Sequence, residues 1–129
     1  MSEILESLAK EPNIAALAVL LGGRPHVTPV WIDYENGDLL VNTAEGRVKA
    51  RAVQDNPDVG VLIVSRDNPY KWVSVIGKVV EITREGADQH IDELAKKYLG
   101  ADQYPFRTPG EVRIILRIRP ERELTFARS

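Results

Sequence analysis

Apolar runs of strand length, separated by two-residue turns, constrain this chain more than any other feature. Ala15 to Leu21 is continuously apolar and closes on Gly22-Gly23, and His26 to Tyr34 reads as a second strand. The two-glycine break between them predicts a hairpin. Asn36-Gly37 then supplies the pair that a type I′ turn requires, both residues at positive φ, with Leu39 to Asn42 as the returning strand. Pro29 sits inside the second strand and has no N–H to give a neighbour. It marks a sheet edge, a bulge, or a place where something other than a strand lies alongside.

The remainder follows the same rhythm. Val59 to Val64 reads as a buried strand, Asp67-Asn68-Pro69 as a turn, and Lys71 to Ile82 as a long strand in which Gly77 marks a bulge or a close approach. Val112, Ile114, Leu116 and Ile118 alternate with Arg113, Arg117 and Arg119, the pattern of a half-buried strand. A short final strand is expected from Glu123 to Phe126. Helical spacing appears at Ile4, Leu5 and Leu8, and again at Ile91, Leu94, Ala95, Tyr98 and Leu99 with Gly100 as the stop. Arg47 to Gln54 also reads as helix, ended by Asn56-Pro57 because the residue before proline avoids the α region. Residues 101–110 form a loop, long enough to cover a ligand or to pack on a partner subunit. The sum is about six strands and two or three short helices without regular βαβ alternation. The fold class is mainly β with flanking helices, as an antiparallel sheet or small barrel.

Composition narrows the chemistry. The 129 residues predict one domain over 1–129, with 43% hydrophobic and 28% charged residues, a globular balance. Seventeen Lys and Arg against nineteen Asp and Glu give a net charge of −2, which argues against a nucleic-acid or membrane-surface binder. With no cysteine there are no disulfides, thiolate metal sites or Cys nucleophile. The acidic start MSEILESLAKEP is not the basic-then-apolar order of a secretory signal, and no apolar run reaches the roughly 20 residues of a bilayer span. The expected location is cytoplasmic.

The most informative stretch is Asn42 to Arg51, NTAEGRVKAR, where a strand ends, a glycine turn follows and a helix begins with Arg47, Lys49 and Arg51. Cations at a helix start oppose its macrodipole. A docked phosphate would reverse that penalty, meeting backbone N–H groups, a guanidinium and an ammonium together. A solvated basic helix is the other reading. His26 and His90, the two histidines, lie in different elements without metal-ligand spacing, so no metal site is expected and His90 is placed on the surface beside its helix's apolar stripe. Ser65, Ser74 and Thr43 lack nucleophile-elbow context. Asp88 and Asp92, at i and i+4, read as like charges on an exposed face. Trp31 and Trp72 fit core positions, and Tyr70-Lys71-Trp72 is thin evidence for a ring-stacking surface. No residue is assigned as catalytic. If the chain is an enzyme, a cofactor carries the reactive atoms.

These residues also carry a resemblance. Arg24 to Trp31 (RPHVTPVW), Asn42 to Arg51, Asn56-Pro57, Asn68-Pro69-Tyr70, Gly77 to Ile82 (GKVVEI), Ala95 to Gly100 (AKKYLG) and Tyr104-Pro105 follow one another as in the flavin/deazaflavin oxidoreductases related to pyridoxamine 5′-phosphate oxidase. The chain most resembles their short coenzyme F420-dependent members. That resemblance implies an FMN-binding type of split β-barrel, antiparallel and Greek-key, forming a homodimer with cofactor sites at the interface. It implies that Arg47 and Lys49 hold the cofactor's phosphate region, and Val48 between them is also expected to bind the cofactor. Pro29, Val30, Trp31, Asn42, Thr43 and Ala44 would line the ring, with Tyr70, Lys71 and Trp72, or the Tyr104 to Arg107 loop, contributed by the second subunit. The activity implied is hydride transfer from reduced coenzyme F420 to a small conjugated acceptor such as an enone or quinone. The alternatives are an FMN-binding flavin reductase or electron carrier, and a non-catalytic deazaflavin-binding protein. Two departures stand out. Ala52-Val53 replaces the Asn-Leu that often follows the basic run, and IRPERELTFARS lacks the substrate-phosphate grip of true pyridoxamine phosphate oxidases, which disfavours vitamin B6 oxidation.

Overall fold

A computed structural model describes residues 2–127. In chain order the elements are α1 (Glu3–Lys10), β1 (Ala15–Leu21), β2 (Arg24–Val30), β3 (Asp33–Glu35), β4 (Asp38–Ala44), α2 (Val48–Asp55), β5 (Asp58–Val64), β6 (Lys71–Thr83), α3 (Ala87–Leu99) and β7 (Arg113–Ala127). All seven strands join one antiparallel sheet in the order β2-β1-β5-β6-β7-β4-β3. The fold is a mainly β split barrel.

Closure of the sheet follows from chain length. β2 and β3 are the two outer strands, yet only Trp31 and Ile32 separate them in sequence. Three Cα–Cα steps span at most about 11 Å, so the sheet must curl until its edges nearly meet. The run from His26 to Tyr34, expected as one strand, is therefore two: the chain leaves one edge and enters the other across this seam. Pro29 accordingly lies on an edge strand, paired only with Ala16.

Inside the curl, every second residue of β1 (Ala15, Leu17, Val19) and β5 (Val59, Val61, Ile63) is buried, and the intervening residues face out. Helix α1 begins at Ser2, whose hydroxyl accepts from the Leu5 N–H, and lays the fully buried Leu5 and Leu8 onto this core. Each buried leucine contributes roughly 1.5–3 kcal/mol.

The structure has seven strands where about six are read from sequence, and the last two expected strands are one. β7 runs unbroken through Pro120 because that proline pairs with Gly77 of β6, where the register shifts. A bulge is one of the few places in a ladder that tolerates a missing N–H. Gly77 is needed there on steric grounds, since a Cβ would sit 2.5 Å from the Arg119 carbonyl oxygen. The hairpin turn is also as the sequence requires, with Asn36 at φ 52° and Gly37 at φ 87°.

Candidate functional site

A cavity of about 330 Å³ opens where the seam, the end of β4, the start of α2, the middle of α3 and the 101–112 loop converge. That volume is in the range of small-molecule sites. Its basic wall is Arg47, Lys49 and Arg113; Asn42 and Thr43 form a polar floor; Trp31, Tyr104 and Phe106 supply an aromatic side. Pro29, Val30, Ile14 and Ile91 complete the lining.

The charge is poorly neutralised from within. Arg47 is the N-cap of α2, with no side-chain cap and no acidic residue in the first turn. Its guanidinium is 3.3 Å from Glu111. Arg113 is buried, with Nη1 donating to Glu111 at 3.0 Å and its guanidinium 5.1 Å from the centre of the Tyr104 ring. Burial alone would raise the Glu111 carboxyl, but the Arg113 contact and the charges of Arg113 and Arg47 hold it below its ordinary value. One carboxylate thus serves two guanidiniums. Lys49 forms no ion pair among the described residues, and it is held below its ordinary value by burial first, then by repulsion from Arg47 and Arg113.

Thr43 supplies an independent sign. It is 2% exposed, and its Oγ1 has no hydrogen-bond partner, alone in this among the buried side-chain nitrogen and oxygen atoms of the described residues. An unpaired buried hydroxyl costs about 1–3 kcal/mol. At the floor of a cationic cavity it is the mark expected of a site shaped for a polar ligand.

The aromatic side is held from behind. Tyr98 of α3 stacks on Trp31, and its hydroxyl accepts from the Ile32 N–H at 3.0 Å while donating to the Asn13 carbonyl at 2.6 Å. Lys97 donates to the carbonyls of Ala9 and Ile32, both at 2.6 Å. The 101–112 loop is pinned to α3: Asp92 accepts from the Tyr104 N–H and from Arg107, which also pairs with Asp88 at 3.1 Å. The two aspartates are thus a docking point for this loop rather than simply an exposed like-charge pair.

Of the residues singled out from sequence, the cavity gathers Pro29, Val30, Trp31, Asn42, Thr43, Arg47 and Lys49. Ala44 and Val48 lie next to it without lining it, and Ala44 borders the neighbouring solvent-open hollow instead. Trp72 is away from it, on β6, stacked on Phe126. Arg113 was hidden from sequence reading because it fell on the polar side of the β7 alternation, although it is buried. His90, expected at the surface, is 7% exposed: it hydrogen-bonds Asn42 and Asp33, and those partners make its burial tolerable. No three His, Cys, Asp or Glu side chains gather as metal ligands among the described residues. No helix among them is long and apolar enough to cross a membrane.

The pyridoxamine 5′-phosphate oxidase family model matches residues 1–126. The chain belongs to this family. Among solved structures, a protein named F420 reductase is 27% identical, with a TM-score of 0.80 over 92% of this chain and 94% of that one. General stress protein 26 of Bacillus anthracis is 18% identical, with a TM-score of 0.73 over 96% and 92% of the two chains. The HupZ protein of Group A Streptococcus is 20% identical, with a TM-score of 0.65 over 97% and 93%. The last two share the pyridoxamine 5′-phosphate oxidase fold with this chain at an identity that speaks for fold alone. No curated protein sequence matches the chain.

Proposed function

We propose that the cavity binds coenzyme F420 by its phosphate-bearing side, and that the protein is an oxidoreductase delivering hydride to a small conjugated acceptor such as an enone or quinone. The observation that carries this reading is the pairing of three converging cations with the unsatisfied Thr43 hydroxyl. The likeness to a protein named F420 reductase supports the deazaflavin, whose phosphate is an internal diester followed by carboxylates, over FMN, the alternative ligand, whose phosphate is a terminal monoester.

The donors present fit such a group. Arg47, Lys49 and Arg113 carry three positive charges against the one carboxylate of Glu111, leaving a positive excess for the phosphodiester and a neighbouring carboxylate of the coenzyme. The uncapped start of α2 adds backbone donors. Thr43 Oγ1 gains a partner, and Trp31 and Tyr104 offer apolar ring faces. When bound, the deazaflavin supplies the hydride chemistry. The protein binds, orients and excludes water, and no side chain of the cavity is assigned as general acid or base.

The second copy of the chain belongs to this reading. β2, β1, β5, β6 and β7 present a row of outward residues, Pro29, Ala16, Leu62, Ser74 and Leu124, cross-strand neighbours in register. Leu124 is 66%, Val27 60% and Ile76 56% exposed on the same face. So broad an apolar surface suits a homodimer interface. Pro29 and Ile14 line both the cavity and the shallow apolar groove on that face, so a partner docked there would border the site and bring its own Trp72 face with it.

Titration of the purified protein with coenzyme F420, followed by quenching of the deazaflavin's fluorescence, tests the reading. Saturable quenching, together with turnover of an enone or quinone by the reduced coenzyme, is the expected result. Tight FMN binding with no response to coenzyme F420 would overturn the cofactor assignment. Saturable binding without turnover over a broad acceptor panel would leave a cofactor carrier and overturn the enzymatic part.

A further inference from the structure

The buried imidazole of His90 touches nothing in the cavity, yet it is tied to two residues that do. Asn42 and Arg113 both line the cavity, and the Asn42 amide lies between Arg113 and His90. The orientation of that amide is fixed by its neighbours. Arg113 Nε, 2.9 Å away, can only donate, so it faces Asn42 Oδ1. The Ala87 carbonyl, 2.8 Å away, can only accept, so it faces Asn42 Nδ2. The same Nδ2 is 3.1 Å from His90 Nδ1, which must therefore be the bare, accepting nitrogen. The ring proton then sits on Nε2 and is donated to Asp33 Oδ2 at 2.9 Å. Burial works against the charged Asp33 carboxyl, but the His90 contact and the Tyr34 N–H outweigh it and hold the group below its ordinary value.

We propose that His90 is a positioning residue for the site: its neutral, Nε2-protonated ring holds the Asn42 amide, and through it the Arg113 guanidinium, in the binding arrangement, and protonation of the ring releases both. A charged imidazole would place an N–H on Nδ1 directly against the Asn42 amide N–H. Asn42 has no way to adapt by flipping, because the flip would turn its NH2 toward Arg113 and its oxygen toward the Ala87 carbonyl. The contact and the protonated ring therefore exclude each other. The charges around the ring are Asp33 of β3 on one side and, across the groove that His90 borders, Glu35, Glu81, Glu85, Glu93 and Arg117. The inference refines the site of the proposed function, but its geometry does not depend on which ligand that site takes.

Side-chain NMR of the ligand-free protein tests it directly. The chain has only two histidines, so His26 on β2 is the reference for assignment. In its neutral form the His90 ring should show a proton on Nε2 and none on Nδ1. On acidification the Asn42 side-chain amide and Arg113 Nε–H signals should move together with the titration of His90. In His90→Gln, whose amide can imitate the neutral tautomer, those movements should vanish. A neutral ring that carries its proton on Nδ1, or Asn42 and Arg113 signals that stay fixed while the ring gains its second proton, would overturn the proposal. The wild-type measurement needs no variant to fold.

FMN and coenzyme F420 are the probes for a second readout. Affinity for the one that binds should fall about tenfold as His90 becomes charged, and less than about twofold over the same range in the glutamine variant. An equal fall in both proteins would also overturn the proposal. Should neither compound bind while the NMR signals remain coupled, the positioning role stands and the proposed cofactor falls.

Discussion

The Trp31 indole lies flat against the Tyr98 phenol ring, with centroids 5.2 Å apart and planes within 4° of parallel. The Tyr98 hydroxyl also ties Ile32 of the seam to Asn13, in the link between α1 and β1. Burial pushes the Tyr98 phenol up to about 12, so it keeps its proton, and its donated bond, well into the alkaline range. Tyr98→Phe retains the stack and loses the hydroxyl contacts. Urea unfolding should show a loss of about 1–3 kcal/mol, with ligand affinity changed less than in Tyr98→Ala, which also removes the support behind Trp31.

Thr43→Val should move stability and binding in opposite directions. The free protein no longer carries an unpaired buried hydroxyl, so it should gain about 1 kcal/mol in thermal or chemical unfolding. Cofactor affinity should drop by a similar amount as the ligand loses its partner. A simultaneous loss of both would mean that the hydroxyl is satisfied in the free protein.

Lys49 gives the expected pH dependence of binding. In the free protein its ammonium is held below the ordinary value of 10.5, by burial and then by Arg47 and Arg113. A bound phosphate raises it. Between the free and bound values the complex holds a proton that the free protein has partly released. Binding there takes up protons and weakens as pH rises; well below the free value it is unlinked to this group. Calorimetry in buffers of different ionisation enthalpy should show that uptake, and Lys49→Arg should abolish it. Lys49→Ala should weaken binding by about 1–3 kcal/mol, and Arg47→Ala similarly.

Two glycines of the sheet should respond differently to alanine. At Gly77 the new Cβ meets the Arg119 backbone, and Gly77→Ala should cost about 1–3 kcal/mol or more in urea unfolding. At Gly60 the new Cβ meets the Ala18 Cβ at an ordinary 3.6 Å, and Gly60→Ala should be near neutral. Equal costs would mean that the β6–β7 bulge relaxes freely.

What could be read in the residues, and what could not, divides along the range of the forces involved. Asn36-Gly37, Pro29 and the stripe of α3 act through local backbone chemistry and spacing, so they appear in sequence as they do in the fold. The break at Trp31 has no local signal: apolar residues continue through it, and the contacts that hold it come from Tyr98 and Lys97, more than 60 positions away. Pro120, between the two strands expected at 112–119 and 123–126, does not end β7, because Gly77 lies opposite it at the register shift. The basic run at Arg47 and Lys49 was legible because a helix start gives cations there a local penalty. Arg113 was not, because periodicity places a side chain on a face but says nothing of what waits there. The buried state of His90 depends on Asn42 and Asp33, both supplied by other elements.

The two-residue seam between β2 and β3 sets a limit on how this chain can vary. An extra residue at Trp31–Ile32 would lengthen the tether between the barrel's edges and at the same time displace a wall of the cavity. Hairpin tips such as Gly22-Gly23 carry neither duty and can accept insertions. Length changes among descendants of this sequence should therefore spare the seam even where the residues in it change, so that the spacing from Pro29 to Asp33 outlasts the identities between them.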